Sequence, residues 1–111
     1  MLQIVETREA DVIVLLLNGR IDTSTAADLE AAAEPHMRGP SQLLVDLGGI
    51  QYVSSAGLRI FLMMAKKLKI AKGRLVLCAM SQAVREVFDL AGLSRIFDIQ
   101  VDQAAGLERL Q

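Results

Sequence analysis

A chain of 111 residues is the size of one domain, and 52% hydrophobic with 23% charged residues and 2 prolines describes a packed core, not a disordered chain. Twelve basic against thirteen acidic side chains leave a net charge of −1, which excludes the broad positive field that grips nucleic acid. One cysteine, Cys78, excludes an internal disulfide, and with one histidine, His36, it cannot close a four-ligand metal site.

The first residues, M-L-Q-I-V-E-T-R-E, have no apolar core behind a basic head, so no signal peptide is expected. No stretch approaches the roughly 18 apolar residues of a membrane span. A cytoplasmic domain without membrane insertion is therefore the expectation, and nothing in the chain implies a cofactor.

Leu2 to Thr7 reads as a first strand and Asp11 to Leu17, D-V-I-V-L-L-L, as a second, joined as a hairpin through Arg8 and Glu9. The unbroken apolar run of the second suits a strand covered on both faces. Asn18-Gly19 is expected to break it. Asp22-Thr23-Ser24-Thr25 then offers side-chain oxygens to cap a helix that runs to about Met37, where Gly39-Pro40 stops it and Pro35 loosens the last turn. His36 is expected on the surface near that helix end.

Gln42 to Leu47 reads as a third strand, bounded by Gly48-Gly49. Ser55 to Lys72 is the strongest helical pattern, with Leu58, Phe61, Leu62, Ala65 and Leu68 as its core stripe and Ile60, Met63 and Met64 on other faces. Lys66, Lys67, Lys69 and Lys72 suit the negative end of that helix, and Gly73 ends it. Arg74 to Ala79 is a fourth strand, in which Cys78 reads as a small buried hydrophobe. Ser81 caps a helix with the stripe Val84, Val87, Phe88 and Ala91, and Gly92 takes the left-handed position after it. Ile96 to Val101 is a short fifth strand and Asp102 to Leu110 a last helix, although Gly106 sits inside it. Strand–helix alternation of this kind implies an α/β fold: one domain over residues 1–111, a mixed sheet of four to five strands, and about four helices packed on it.

The loop Q-Y-V-S-S-A-G-L-R, Gln51 to Arg59, stands where a strand gives way to a helix, the place where α/β folds gather function. Its serines admit three readings. Serine is a good N-cap, which alone explains one of them. A nucleophile needs a base and an orienting group; His36 is badly placed to serve, and G-x-S-x-G is absent because position 53 is Val. No enzymatic activity is expected. A phosphorylation switch needs an accessible hydroxyl at the positive end of a helix, and the small neighbours Ala56 and Gly57 leave it accessible.

The pieces N-G-R-I-D-T-S-T-A (18–26), L-L-V-D-L-G-G-I-Q-Y-V-S-S-A-G-L (43–58) and G-R-L-V-L-C-A-M-S-Q-A-V-R-E-V-F-D-L-A-G-L (73–93), with S-R-I-F-D-I behind them, cover nearly the whole chain. In this order they resemble the STAS domain family, and within it the stand-alone anti-sigma factor antagonists of the SpoIIAA and RsbV type. The family loop reads Asp-Ser-Ser/Thr-Gly, with the serine after the Asp as phosphoacceptor. That position is Ser55 here; the family Asp becomes Ser54, kept as a second candidate, and the second hydroxyl becomes Ala56.

The resemblance implies partner switching in transcriptional regulation. The unmodified domain binds an anti-sigma factor that is also an ATP-dependent serine kinase with a histidine-kinase-like fold. Phosphorylation of Ser55 releases the domain, and a serine phosphatase resets it. The expected partner surface comprises Asp22, Thr23, Ser54, Ser55, Ala56, Gly57, Arg59, Ile60 and Met63. For Asp22 and Thr23 plain helix capping is the leading account, and for Ile60 and Met64 packing under neighbouring elements is an equal one. The alternative is a non-switching subunit of the same fold, in a lipid-transport ABC system or a signalling scaffold, with Ser55 serving only as a cap.

Overall fold

A computed structural model describes all of residues 1–111. The elements follow as β1 (Leu2–Glu9), β2 (Val12–Ile21), α1 (Ala26–Ala33), a 3₁₀ turn (Glu34–His36), β3 (Gln42–Val53), α2 (Ser55–Ile70), β4 (Arg74–Cys78), α3 (Gln82–Leu90), β5 (Asp98–Gln100) and α4 (Gln103–Leu110). The sheet runs in sequence order, β1-β2-β3-β4-β5. β1 pairs antiparallel with β2, and every later pair is parallel. The mixed sheet and four helices expected from the sequence are all present.

Alternation along β2 divides the core. Ile13, Leu15 and Leu17 point to the face covered by α1, α2 and α3, whereas Val12 and Val14 point to the face covered by α4. Gly106 explains itself there: a Cβ at that position would lie 2.5 Å from Leu44 Cδ1, so the glycine lets α4 settle directly on the sheet. Cys78 is fully buried on the same face, and desolvation first, then the charges of Asp46 and Asp102, pushes its thiol up to about 12. It remains a protonated, apolar-behaving side chain at neutral pH.

Two strand ends differ from expectation. β2 passes through Asn18-Gly19 to Ile21, and β3 passes through Gly48-Gly49 to Val53. Their ladder absorbs register shifts between Leu16 and Asn18 and between Gly19 and Arg20. Glycine is needed for close approach: a Cβ on Gly49 would lie 2.9 Å from the Leu17 carbonyl oxygen. Here the glycines shape the ladder and do not end it. Because Asp46 pairs with Cys78 at the end of β4, the stretch of β3 beyond it projects with β2 as a two-stranded ribbon, raising the loops that follow Ile21 and Val53.

The helices differ in phase and in one contact. Met64 is fully buried and Leu62 is 36% exposed, the reverse of the expected stripe. Ala91 is exposed, while Val84 and Phe88 anchor α3. α1 ends at Ala33, and Pro35 lies in the 3₁₀ turn that replaces its last turn, as its ring requires. His36 is more enclosed than expected: its Nε2 lies 2.7 Å from Glu6 Oε1 on β1, tying that turn to the sheet edge. α2 closes with Lys72 in the left-handed region (φ 63°) and with Gly73 N–H donating to the Leu68 carbonyl, a Schellman end.

Candidate functional site

Parallel pairing sets Ile21 beside Val53, so the loops after β2 and β3 emerge on one rim. They are stitched together: Ser54 N–H donates to the Ile21 carbonyl at 2.8 Å. The expected neighbourhood of Asp22 and Thr23 with the serine loop is therefore present.

The two serines have different tasks. Ser54 is the N-cap of α2, with extended backbone (φ −87°, ψ 174°); its Oγ accepts from the Gly57 amide at 3.3 Å and its carbonyl accepts from the Leu58 amide at 3.0 Å. Ser55 is the first helical residue. It is exposed, and its hydroxyl makes no hydrogen bond within the chain. The amides of Ser55 and Ala56 likewise have no acceptor in the chain, as the first turn of a helix dictates. The capping role that the alternative reading gave to Ser55 thus belongs to Ser54. Removal of the cap by Ser54→Ala is expected to lower stability by about 1 kcal/mol, whereas Ser55→Ala should stay within about 0.5 kcal/mol of the parent; urea unfolding of the two variants makes the comparison.

Gly57 brings the helix start hard against the ribbon. A Cβ there would lie 2.7 Å from Ile21 Cγ2 and 3.0 Å from Val53 Cγ1, both on stiff β-branched side chains. Overpacking of that kind costs about 1–3 kcal/mol and outweighs the helix-propensity gain of about 1 kcal/mol for alanine.

The Asp22 loop is a turn closed on its own carboxylate. Oδ1 accepts from the Ser24 hydroxyl (2.7 Å) and amide (2.9 Å) and from the Thr25 amide (3.2 Å), while Thr25 Oγ1 donates to the Arg20 carbonyl at 2.9 Å. The Ser24 hydroxyl leads in holding the Asp22 carboxyl below the usual carboxylate value, opposed in part by desolvation. Asp22 therefore carries its negative charge through the whole physiological range. Thr23 is exposed beside it.

Of the other expected residues, Arg59 is exposed one turn after Ser55, and Ala56 is half-buried. Ile60 and Met63 are half-buried and pack against the main core, so part of each is structural. Arg20 and Tyr52 belong to the rim as well and were not singled out from the sequence. They are register partners; the Arg20 guanidinium lies 4.6 Å from the Tyr52 ring centroid and 3.9 Å from Asp22 Oδ2, and Tyr52 is 41% exposed. The available signal was positional: each flanks a buried strand-end residue, Ile21 or Val53, on the opposite face of the pleat. Among the 111 residues no group of three or more His, Cys, Asp or Glu is placed to hold a metal ion, and no helix is long and apolar enough to cross a membrane.

Comparison with known proteins gives concordant findings. The family model described as "Mlab, STAS domain" matches residues 4–101. BtrV of Bordetella bronchiseptica, provisionally named an anti-sigma factor antagonist, is 39% identical over 88 residues, covering 78% of this chain and 76% of that protein. The anti-sigma-B factor antagonist of Listeria monocytogenes is 31% identical over 97 residues, covering 86% of this chain and 85% of that one. Solved structures of SpoIIAA share the fold. The unphosphorylated form gives a TM-score of 0.80 at 21% identity, over 98% of this chain and 95% of that one. The phosphorylated form of the Bacillus protein gives 0.74 at 18% identity, over 100% of each chain.

Proposed function

The chain belongs to the STAS domain family, and from that premise we propose that it is an anti-sigma factor antagonist switched by phosphorylation of Ser55. The names of its relatives support the antagonist role. The observation that carries the switch is the division of labour between the serines: Ser54 holds the helix, and Ser55 presents a free hydroxyl beside unpaired amides on an exposed rim. A serine engaged as a cap would have to give up that bond on modification; Ser55 has none to give up.

In the unmodified state the rim of Asp22, Thr23, Ser54, Ser55, Ala56, Gly57 and Arg59, with parts of Ile60 and Met63, docks on an anti-sigma factor that is also a serine kinase of histidine-kinase-like fold. The γ-phosphoryl group then passes from ATP to Ser55 Oγ, releasing ADP and the hydroxyl proton. The product carries about −1.5 to −2 charge. The helix dipole and the free amides accommodate that charge without refolding the domain, while the partner surface loses complementarity. A serine phosphatase restores the hydroxyl by hydrolysis to inorganic phosphate. The domain is a substrate and a binding module in this cycle, not a catalyst.

Incubation with the cognate anti-sigma factor and ATP, followed by mass spectrometry of the segment Gln51 to Lys66, is expected to place one phosphate on Ser55. Phosphate on Ser54 alone, or none under conditions where the two proteins bind, would overturn the assignment.

A further inference from the structure

α2 contains no acidic residue, yet it carries Arg59, Lys66, Lys67 and Lys69, followed by Lys72, in a chain whose net charge is −1. Lys67 turns to Glu34 at 3.4 Å. Arg59, Lys66 and Lys69 are exposed and have no ion-pair partner in the chain. All three border one groove of about 770 Å³ between α2 and the segment that leads into β5. Its apolar lining includes Leu62, Met63, Leu75 and Phe97, and Ile96 stands beside them 58% exposed. The carboxylate on its wall, Asp98, is already held by Arg109 at 3.0 Å and Arg74 at 3.9 Å, which leaves the α2 cations uncompensated.

We propose that this groove receives an acidic amphipathic segment of the anti-sigma partner, which lays its apolar side chains against Leu62, Met63 and Ile96 and its carboxylates along Arg59, Lys66 and Lys69. The inference rests on the partner reading of the preceding subsection and adds a second contact to it. Two features select this occupant. Arg59 and Lys69 stand ten positions apart on the helix, about 15 Å of axis; a single head group can neutralise one end of that row, whereas an acidic helix can meet all of it. The groove also continues directly from the rim, because Arg59 and Met63 border both.

Calorimetric titration of the full chain with its cognate anti-sigma factor tests this, across a salt series. The paired variant Lys66→Glu/Lys69→Glu is expected to bind about tenfold more weakly at low salt with a flattened salt dependence. Leu62→Asp is expected to bind about tenfold more weakly at every salt concentration. All three positions lie on the surface, so the variants should stay folded, with thermal melts lowered by a few degrees at most. If both variants bind within twofold of the parent while Ser55→Asp fails to bind, the groove assignment falls and the switch stands. If the parent itself does not bind, both fall. Saturable binding of one oleate per chain, with partner affinity unaffected by either variant, would assign the groove to a lipid and overturn the proposal.

Discussion

Ser55→Asp is expected to weaken binding to the cognate anti-sigma factor by at least about a hundredfold, close to 2.7 kcal/mol, while Ser55→Ala stays within about threefold of the parent. The size follows from the setting. A new anion on a contact surface must be desolvated without a designed partner, and juxtaposed like charges cost several kcal/mol. Asp22 already supplies one permanent negative charge to the rim, so a partner surface suited to it is not suited to a second. The same substitution should leave the fold intact or stabilise it slightly, since a carboxylate in the first turn of a helix contributes about 0.3–1 kcal/mol at low ionic strength. Lost binding with an unchanged or raised melting temperature, by calorimetry on one preparation, is the expected pair of results. Undiminished binding by Ser55→Asp would exclude electrostatic release at this position.

The largest effect on stability is expected at Phe88. Its ring is fully buried, 5.9 Å from Phe61 and edge-on to Phe97 at 5.6 Å, so three elements meet on one side chain: α2, α3 and the segment before β5. Phe88→Ala removes the packing of the whole ring and leaves a cavity that this dense surround cannot fully collapse, a loss of about 3–5 kcal/mol. Domains of this size have about 5–15 kcal/mol in total, so the variant should be marginal at 37 °C. Phe88→Leu keeps most of the volume and should lose markedly less. Urea unfolding measures both; a loss below about 1.5 kcal/mol for the alanine variant would mean that the aromatic trio is not the keystone of the α2–α3 contact.

The succession of strands and helices was legible in the chain because each element has its own period. The β2 run declared a strand covered on both sides, and the Ser81, Val84, Phe88 and Gly92 spacing declared α3 with both its ends. Glycine was the main source of error. Asn18-Gly19 and Gly48-Gly49 carry the composition of turns, but here the lack of a Cβ serves the close approach of two neighbouring strands, a tertiary fact that no local window contains. The exchange of Leu62 for Met64 has a similar origin: both lie within one turn of the stripe, and the neighbours across the interface decide which goes inside. Of the rim, the serine loop and Asp22 could be read from sequence, whereas the Arg20–Tyr52 pair depends on a strand register that exists only once the chain is folded.

The separation of cap from acceptor bears on how such a loop can diverge. The family loop, as the resemblance gives it, has Asp where position 54 carries Ser, and the two residues rank almost equally as helix starters. That exchange therefore leaves the geometry of the neighbouring hydroxyl alone while withdrawing one unit of permanent charge. On the proposed switch the phosphate adds the same charge whichever residue stands at position 54, so a rim without Asp there is less negative by an equal amount in both states. Under that proposal, variation at position 54 sets the baseline charge of the rim and leaves the Ser55 hydroxyl untouched.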